Sequence, residues 1–196
     1  MKVLSVNLAT VGNLFVTQSG DVHRIVTGIH KQPAAGPVIV KKLGLAGDEQ
    51  ADLTVHGGLD KAVYAYPFEH YGFWAAQRRS AFKRDDPLPL GSMGENLTIE
   101  GLLENQVWVG DRIRIGSTLL EVTEPRSPCY KFAAKMGFPH AVKMMVQSGS
   151  TGFYLRVIQE GVLEAGDAIA LIPGPREVSI TRINDQRRRG RQRDLF

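Results

Sequence analysis

The sequence predicts a mainly β protein with helical decoration, folded as a closed or nearly closed β-barrel. Two patterns carry that expectation. Short runs rich in Val, Ile and Leu recur along most of the chain, punctuated by Gly-Asp, Gly-Ser and similar turn pairs. Helical signals are few and short, so strands must build the core and helices cover it. The 196 residues suffice to bury a substantial core without cross-links. With 43% hydrophobic and 22% charged residues, the composition excludes a disordered chain, a collagen and a coiled coil.

The elements follow in order. Residues 2–9 and 13–18 are short β-rich runs, and residues 36–45 alternate around Val38 and Val40 before a glycine turn. Residues 106–125 are the clearest stretch: Val107 and Val109, Ile113 and Ile115, then Leu119, Leu120 and Val122 form runs broken at Gly-Asp and Gly-Ser, which predicts an adjacent strand pair. Residues 152–161 and 167–174 repeat the style, and residues 109–116 echo 165–172 as two similar strand entries. A helix is predicted over 66–79, with Pro67 in its first turn and Phe68, Tyr71 and Trp74 as a buried stripe. Two short helices are predicted over 127–137 and 139–149, each ending near a glycine, and a polar, Pro-rich loop over 78–92. No parallel βαβ pattern, phosphate-binding loop or dinucleotide glycine motif is read.

The net charge of +4 belongs to residues 181–196, where six Arg face two Asp, so the first 180 residues are neutral. This predicts one domain over 1–180 and a basic, solvated tail over 181–196. A neutral body gives no sign of a nucleic-acid groove. No apolar run approaches the roughly 20 residues of a membrane span, and no signal peptide is read at the start. The single cysteine, Cys129, excludes an internal disulfide, and a cytoplasmic location is expected.

Three polar, glycine-rich clusters hold the candidate functional residues. Residues 44–71 contain Asp48, Gln50, Asp52, His56, Gly57, Gly58, Asp60, Lys61 and His70. The glycine pair permits positive φ or close approach of a ligand, with His56 at the turn's edge; a hairpin turn with a solvated His fits nearly as well. Residues 91–102 offer Gly94, Glu95 and Asn96, where the plainer reading is a polar turn before a strand. Residues 124–137 place Cys129 before a helix start, with Arg126 and Lys131 near enough to favour the thiolate. An inert buried thiol is the alternative, although Arg, Ser, Pro, Tyr and Lys flank this cysteine. Zinc on Cys129, His56 and His70 is the weaker option because close ligand pairs are missing, and His70 reads as structural. A Cys129–His56 nucleophilic pair matches no thiol-protease signature.

Taken together, residues 44–71, residues 94–102 and residues 109–132 resemble the MOSC domain family, the C-terminal domain type of molybdenum cofactor sulfurases. The closer resemblance is to the stand-alone bacterial MOSC proteins of the YiiM type, which reduce N-hydroxylated bases such as 6-N-hydroxylaminopurine. The resemblance runs from about residue 27 to about residue 172. It implies a β-barrel and the molybdenum cofactor, a pterin with a dithiolene and a phosphate. Cys129 falls on the family's cysteine, the implied molybdenum ligand, and the runs 56–58 and 94–96 fall on its other motifs. Cys129, His56 and Glu95 are the expected catalytic residues; Gly57, Gly58, Lys61, Gly94, Asn96, Arg126 and Lys131 are expected to bind the cofactor. A flavin or iron–sulfur reductase would supply electrons. The resemblance also leaves open a carrier of sulfur or cofactor without reductase activity. Longer members continue into a three-helix domain, and full sulfurases add an aminotransferase-like domain; neither is expected here, nor is pyridoxal phosphate chemistry.

Overall fold

In the computed structural model, residues 1–18, 21–51, 57–83 and 85–193 are described. Chain order gives β1 (Lys2–Leu8), β2 (Gly12–Gln18), β3 (Asp21–Thr27), β4 (Gln32–Pro33), β5 (Val38–Lys41), β6 (Gly44–Leu45) and β7 (Val63–Pro67). There follow α1 (Tyr71–Phe82), β8 (Leu97–Glu100), β9 (Arg112–Ile115), β10 (Thr118–Pro125), α2 (Tyr130–Met136) and α3 (Ala141–Ser148). The chain then runs through β11 (Phe153–Gln159), β12 (Gly161–Leu163) and β13 (Ile169–Ile172) to α4 (Ile180–Arg193). Among the described residues, no helix is long and apolar enough to cross a membrane.

One sheet of eight strands, ordered β13-β9-β10-β11-β7-β8-β1-β4, dominates the fold. A three-stranded sheet (β12-β5-β6) and the β2-β3 hairpin flank it. The predicted adjacent pair is β9 and β10, antiparallel, with Leu120 opposite Ile113. The large sheet does not close into a barrel, since β13 and β4 end it unpaired with each other. A single bridge, Lys2 to Ala168, ties the start of β1 to the residues just before β13.

Three sequence expectations are corrected. The chain does contain a parallel pair, β7 with β8, joined through α1. The helix predicted from residue 66 begins at Tyr71: residues 63–67 pair with β11 and β8, which draws Tyr66 and Pro67 into the sheet, and Phe68–His70 form a single 3₁₀ turn. Of the expected stripe, Tyr71 and Trp74 are buried while Phe68 is exposed. The basic tail is helical as far as Arg193, as part of α4, whose first residue, Ile180, is fully buried in the main core.

Every residue of β7 is buried, which explains why it reads as unbroken apolar sequence rather than as alternation. Val63 and Ala65 face the main core with Leu97, Ile113, Leu120, Phe153 and Leu155. Tyr64 and Tyr66 face a second core with Trp74, Met93, Phe132 and Met145, roofed by α1, α2 and α3. Truncating Trp74, which has no exposed surface, would cost about 3–5 kcal/mol. The functional loops gather around this central strand.

Candidate functional site

The loop that leaves β10 runs Arg126, Ser127, Pro128, Cys129 and then enters α2. Arg126 is 7% exposed and sits between aromatic rings, its guanidinium 4.8 Å from the Tyr64 centroid and 5.1 Å from that of Phe132. Its Nη1 donates to the Met93 carbonyl and to Tyr64 Oη at 3.4 Å. Tyr64 in turn donates to the Thr151 carbonyl at 2.7 Å, and burial holds its phenol far above the usual range, so it stays a protonated donor. Cys129 is half-buried and takes the N-cap position of α2, with its carbonyl accepting the Phe132 N–H.

A cleft opens beside this loop. From the expected site residues, Gly57, Lys61, Gly94 and Asn96 line it, together with Arg126, Cys129 and Lys131. Three segments far apart in sequence are thus brought together. Gly58 adjoins the wall at φ +80°, ahead of the 3₁₀ turn Leu59–Lys61. Gly94 also has φ +80°, and a Cβ there would stand 2.9 Å from Ile29 Cγ1, so a side chain at this point would crowd the wall. His56 and Asp52 lie outside the described residues.

Glu95 is placed differently from the other expected residues. It is fully buried and does not line the cleft. Its Oε1 accepts from Gly91 N at 3.0 Å, Thr98 Oγ1 at 2.7 Å and the Tyr71 hydroxyl, whereas Oε2 has no partner. Burial raises its carboxyl above the ordinary value. Glu95 stands behind the wall, outside the residues that line the cleft. Asn96 is likewise committed to the protein, with Oδ1 accepting from Tyr64 N at 3.1 Å and Nδ2 donating to Asp48 Oδ2 at 2.9 Å. His70 pairs with Glu104 at 2.9 Å, which makes it structural as expected.

Sequence reasoning missed Lys31 and Tyr154, and it named Asp48 without assigning it a role; all three line the cleft. Lys31 follows β3 and is almost fully buried against Asp48. A lysine two positions beyond a Gly-Ile pair carries no motif, so only the folded chain reveals it. Tyr154 closes one side, its ring 5.2 Å from Tyr64 and beneath Lys61 Nζ at 5.9 Å. Lys31, Lys61, Arg126 and Lys131 face two carboxylates, Asp48 and Glu49, so the lining carries net positive charge.

Comparison with known proteins now decides the family. The MOSC domain model matches residues 52–170, which span β7 through β13 and the Cys129 loop. This chain belongs to the MOSC domain family. It is 41% identical over 179 residues to YflK, an uncharacterized protein of Bacillus subtilis (strain 168), covering 91% of this chain and 76% of that one. It is 36% identical over 152 residues to a protein named reductase from Gibberella moniliformis (strain M3125 / FGSC 7600), covering 77% of this chain and 26% of that one. The crystal structure of YiiM from Geobacillus stearothermophilus superimposes with a TM-score of 0.75 at 35% identity, covering 97% of this chain and 85% of that one. The MOSC fold here is therefore of the YiiM type, mainly β with a few helices.

The donor set of the cleft fits the cofactor associated with MOSC domains. One thiolate is a soft ligand suited to a thiophilic metal. Among the described residues no group of three or more His, Cys, Asp and Glu gathers for a metal, and Cys129 is the sulfur donor that the lining offers. The cationic lining suits a phosphate, and Arg126 is kept charged and oriented by its ring contacts and by the Met93 carbonyl.

Proposed function

We propose that this MOSC protein is a molybdenum-cofactor-dependent reductase of N-hydroxylated substrates such as hydroxylaminopurines, supplied with electrons by a flavin or iron–sulfur protein. The observation that carries the reading is the convergence of Cys129 with Arg126, Lys131 and Lys61 in one cleft, from segments up to about 70 residues apart. Similarity to YiiM and to a protein named reductase supports it.

The cofactor, when bound, supplies two-electron redox chemistry. The chain's own residues would do the rest. Cys129 ligates the metal through its thiolate. Arg126, Lys131 and Lys61 neutralise the pterin phosphate. Glycines at 57, 58 and 94 leave room for close approach of backbone to ligand. Tyr64 and Tyr154 add aromatic surface to the lining beside these cations. His56, adjacent in the chain to the cleft-lining Gly57, is a proton carrier in this reading.

The test is metal analysis and turnover on protein prepared from a molybdenum-replete host. Stoichiometric molybdenum with reduction of an N-hydroxylated purine supports the reading. A persulfide on Cys129 without turnover would replace it with a sulfur carrier, and neither result would leave a binding protein with a structural thiol.

A further inference from the structure

One charged pair in the cleft stands apart from the three cations assigned above to the cofactor. Lys31 and Asp48 form a salt bridge with side chains only 7% and 2% exposed, yet both belong to the cleft lining. Burying two charges is costly unless other hydrogen bonds complete the site, and here they do so on one side. Asp48 Oδ1 also accepts from Ala9 N at 2.8 Å, and Oδ2 accepts from Asn96 Nδ2 at 2.9 Å. The carboxylate therefore keeps two neutral donors if Lys31 loses its proton. Lys31 has its one hydrogen-bond partner in Asp48 among the bonds described for it, while its ammonium has three donors to offer.

We propose that Lys31 is the proton donor of the cleft: its ammonium gives the proton with which the hydroxyl oxygen of an N-hydroxylated substrate departs as water, and Asp48 positions it. The assignment rests on the reductase reading above. The overall change is R–NHOH + 2e⁻ + 2H⁺ → R–NH₂ + H₂O. The N–O bond breaks and the substrate nitrogen is reduced by two electrons from the external flavin or iron–sulfur donor. One proton passes from Lys31 to the leaving oxygen; the nitrogen takes the other from water at the cleft mouth. Lys31 is then reprotonated from solvent, while Asp48 keeps its hydrogen bonds from Ala9 N–H and Asn96 Nδ2.

The surroundings favour release of the proton. Desolvation lowers the Lys31 ammonium below the usual lysine value, partly offset by Asp48 and, at longer range, by the buried Glu95. Glu49 and the cations Lys61, Arg126 and Lys131 complete the charged lining. An ammonium moved toward neutral pH is a better general acid than an ordinary lysine.

The test compares Lys31→Met, Lys31→Arg and the double variant Lys31→Met/Asp48→Asn in cofactor-loaded protein, with molybdenum content measured beside turnover. Loss of Lys31 should lower kcat about 100-fold or more, the size expected of a positioned general acid. Molybdenum content should stay at the wild-type level, and the alkaline fall of the kcat–pH profile should disappear. Lys31→Arg should be as slow as Lys31→Met, because a guanidinium keeps its proton. The double variant leaves no unpaired buried carboxylate, and a thermal melt measured beside turnover separates inactivity from misfolding. Full activity in Lys31→Arg or in the double variant would overturn the donor role, and so would parallel loss of molybdenum and turnover, which marks an anchoring cation. No turnover in loaded wild-type protein would overturn the reductase reading and the donor role together, whereas wild-type turnover with an active double variant removes the donor role alone.

Discussion

Asn96 and Tyr64 hold each other by a reciprocal pair of hydrogen bonds. The Asn96 N–H donates to the Tyr64 carbonyl at 2.8 Å, and the Tyr64 N–H donates to Asn96 Oδ1 at 3.1 Å. The side chain of Asn96 thus stands in for a strand, extending the β7–β8 pairing by one step to the cleft edge. Its Nδ2 reaches across to Asp48, so a single amide fixes β7, the start of β8 and the buried carboxylate.

Asn96→Ala should therefore destabilise the protein by about 1–3 kcal/mol, the cost of a buried backbone N–H left without an acceptor. Urea unfolding would show a lower midpoint with an unchanged slope. Asn96→Asp should be worse than Ala at neutral pH, because it sets a second carboxylate against Asp48, and the gap between the two variants should narrow on acidification. Equal stability of Asn96→Ala and wild type would mean that the reciprocal pair contributes nothing.

How much of this was legible in the sequence depends on how local the cause was. The β9–β10 pair and the ends of α2 and α3 follow from alternation and from Gly137 and Gly149, both in the left-handed region after the last helical turn. Residues 66 and 67 were misread because Pro67 is equally at home in a helix's first turn and at a strand's end; tertiary pairing with β8 and β11 decided it. Loop chemistry leads one to expect residues 48–61, 94–96 and 126–131 at one cleft; among the described residues, 48–51, Gly57, Lys61, Gly94, Asn96, Arg126, Cys129 and Lys131 line it, and Glu95 does not. Glu95 could not be placed by sequence, because a carboxylate beside a glycine turn looks the same whether it faces a cleft or Tyr71 and Thr98. Lys31 was invisible for the converse reason, since its burial comes from Asp48, 17 residues away.

The C-terminal helix should be part of the folded unit. Ile180 has no exposed surface, and Asn184 donates to Thr151 Oγ1 at 2.9 Å and to the Gly149 carbonyl at 3.0 Å. Arg187 donates to the Pro125 carbonyl at 2.8 Å and pairs with Glu124, directly ahead of the Arg126–Cys129 loop. Ile180→Ala should cost about 2–5 kcal/mol, as for any fully buried isoleucine. Removal of residues 180–196 should lower the thermal midpoint by more than that single substitution. A truncated protein as stable as the full chain would restore the tail to a solvated end.

Glu95 should give stability a pH dependence of definite sign. Its carboxyl is raised in the folded state by burial, against the lowering effect of hydrogen bonds from Tyr71, Thr98 and Gly91 N–H. The cations Lys31 and Lys135 lie within electrostatic reach of it. A raised value means that the folded state holds its proton more tightly than the unfolded chain. The associated stability is fully present below the unfolded value, near 4.5, and is lost as pH rises through the folded value. Glu95→Gln, which cannot ionise, should lack this loss. The stability of wild type relative to Glu95→Gln, followed by thermal melts, should fall as pH is raised from 4.5. A difference independent of pH would show that the carboxyl is not shifted.

Cys129 carries the sharpest prediction because its role and its packing separate cleanly. The side chain is half-buried at the mouth of the β10–α2 loop, so Cys129→Ser changes little volume and should alter stability by about 0.5 kcal/mol or less. If its thiolate ligates molybdenum, the harder serine oxygen should abolish turnover and reduce bound molybdenum while thermal melts stay superimposable. Iodoacetamide should alkylate Cys129 in protein without cofactor, and bound cofactor should protect it, because the thiolate is both the nucleophile and the metal ligand. A sulfur carrier would also lose function on substitution, but its thiol would remain open to alkylation in cofactor-loaded protein once any persulfide is reduced; a cofactor carrier would be protected but show no turnover. Full activity in Cys129→Ser, together with an unreactive thiol in the cofactor-free protein, would make the cysteine structural and take the metal ligand out of the proposed site.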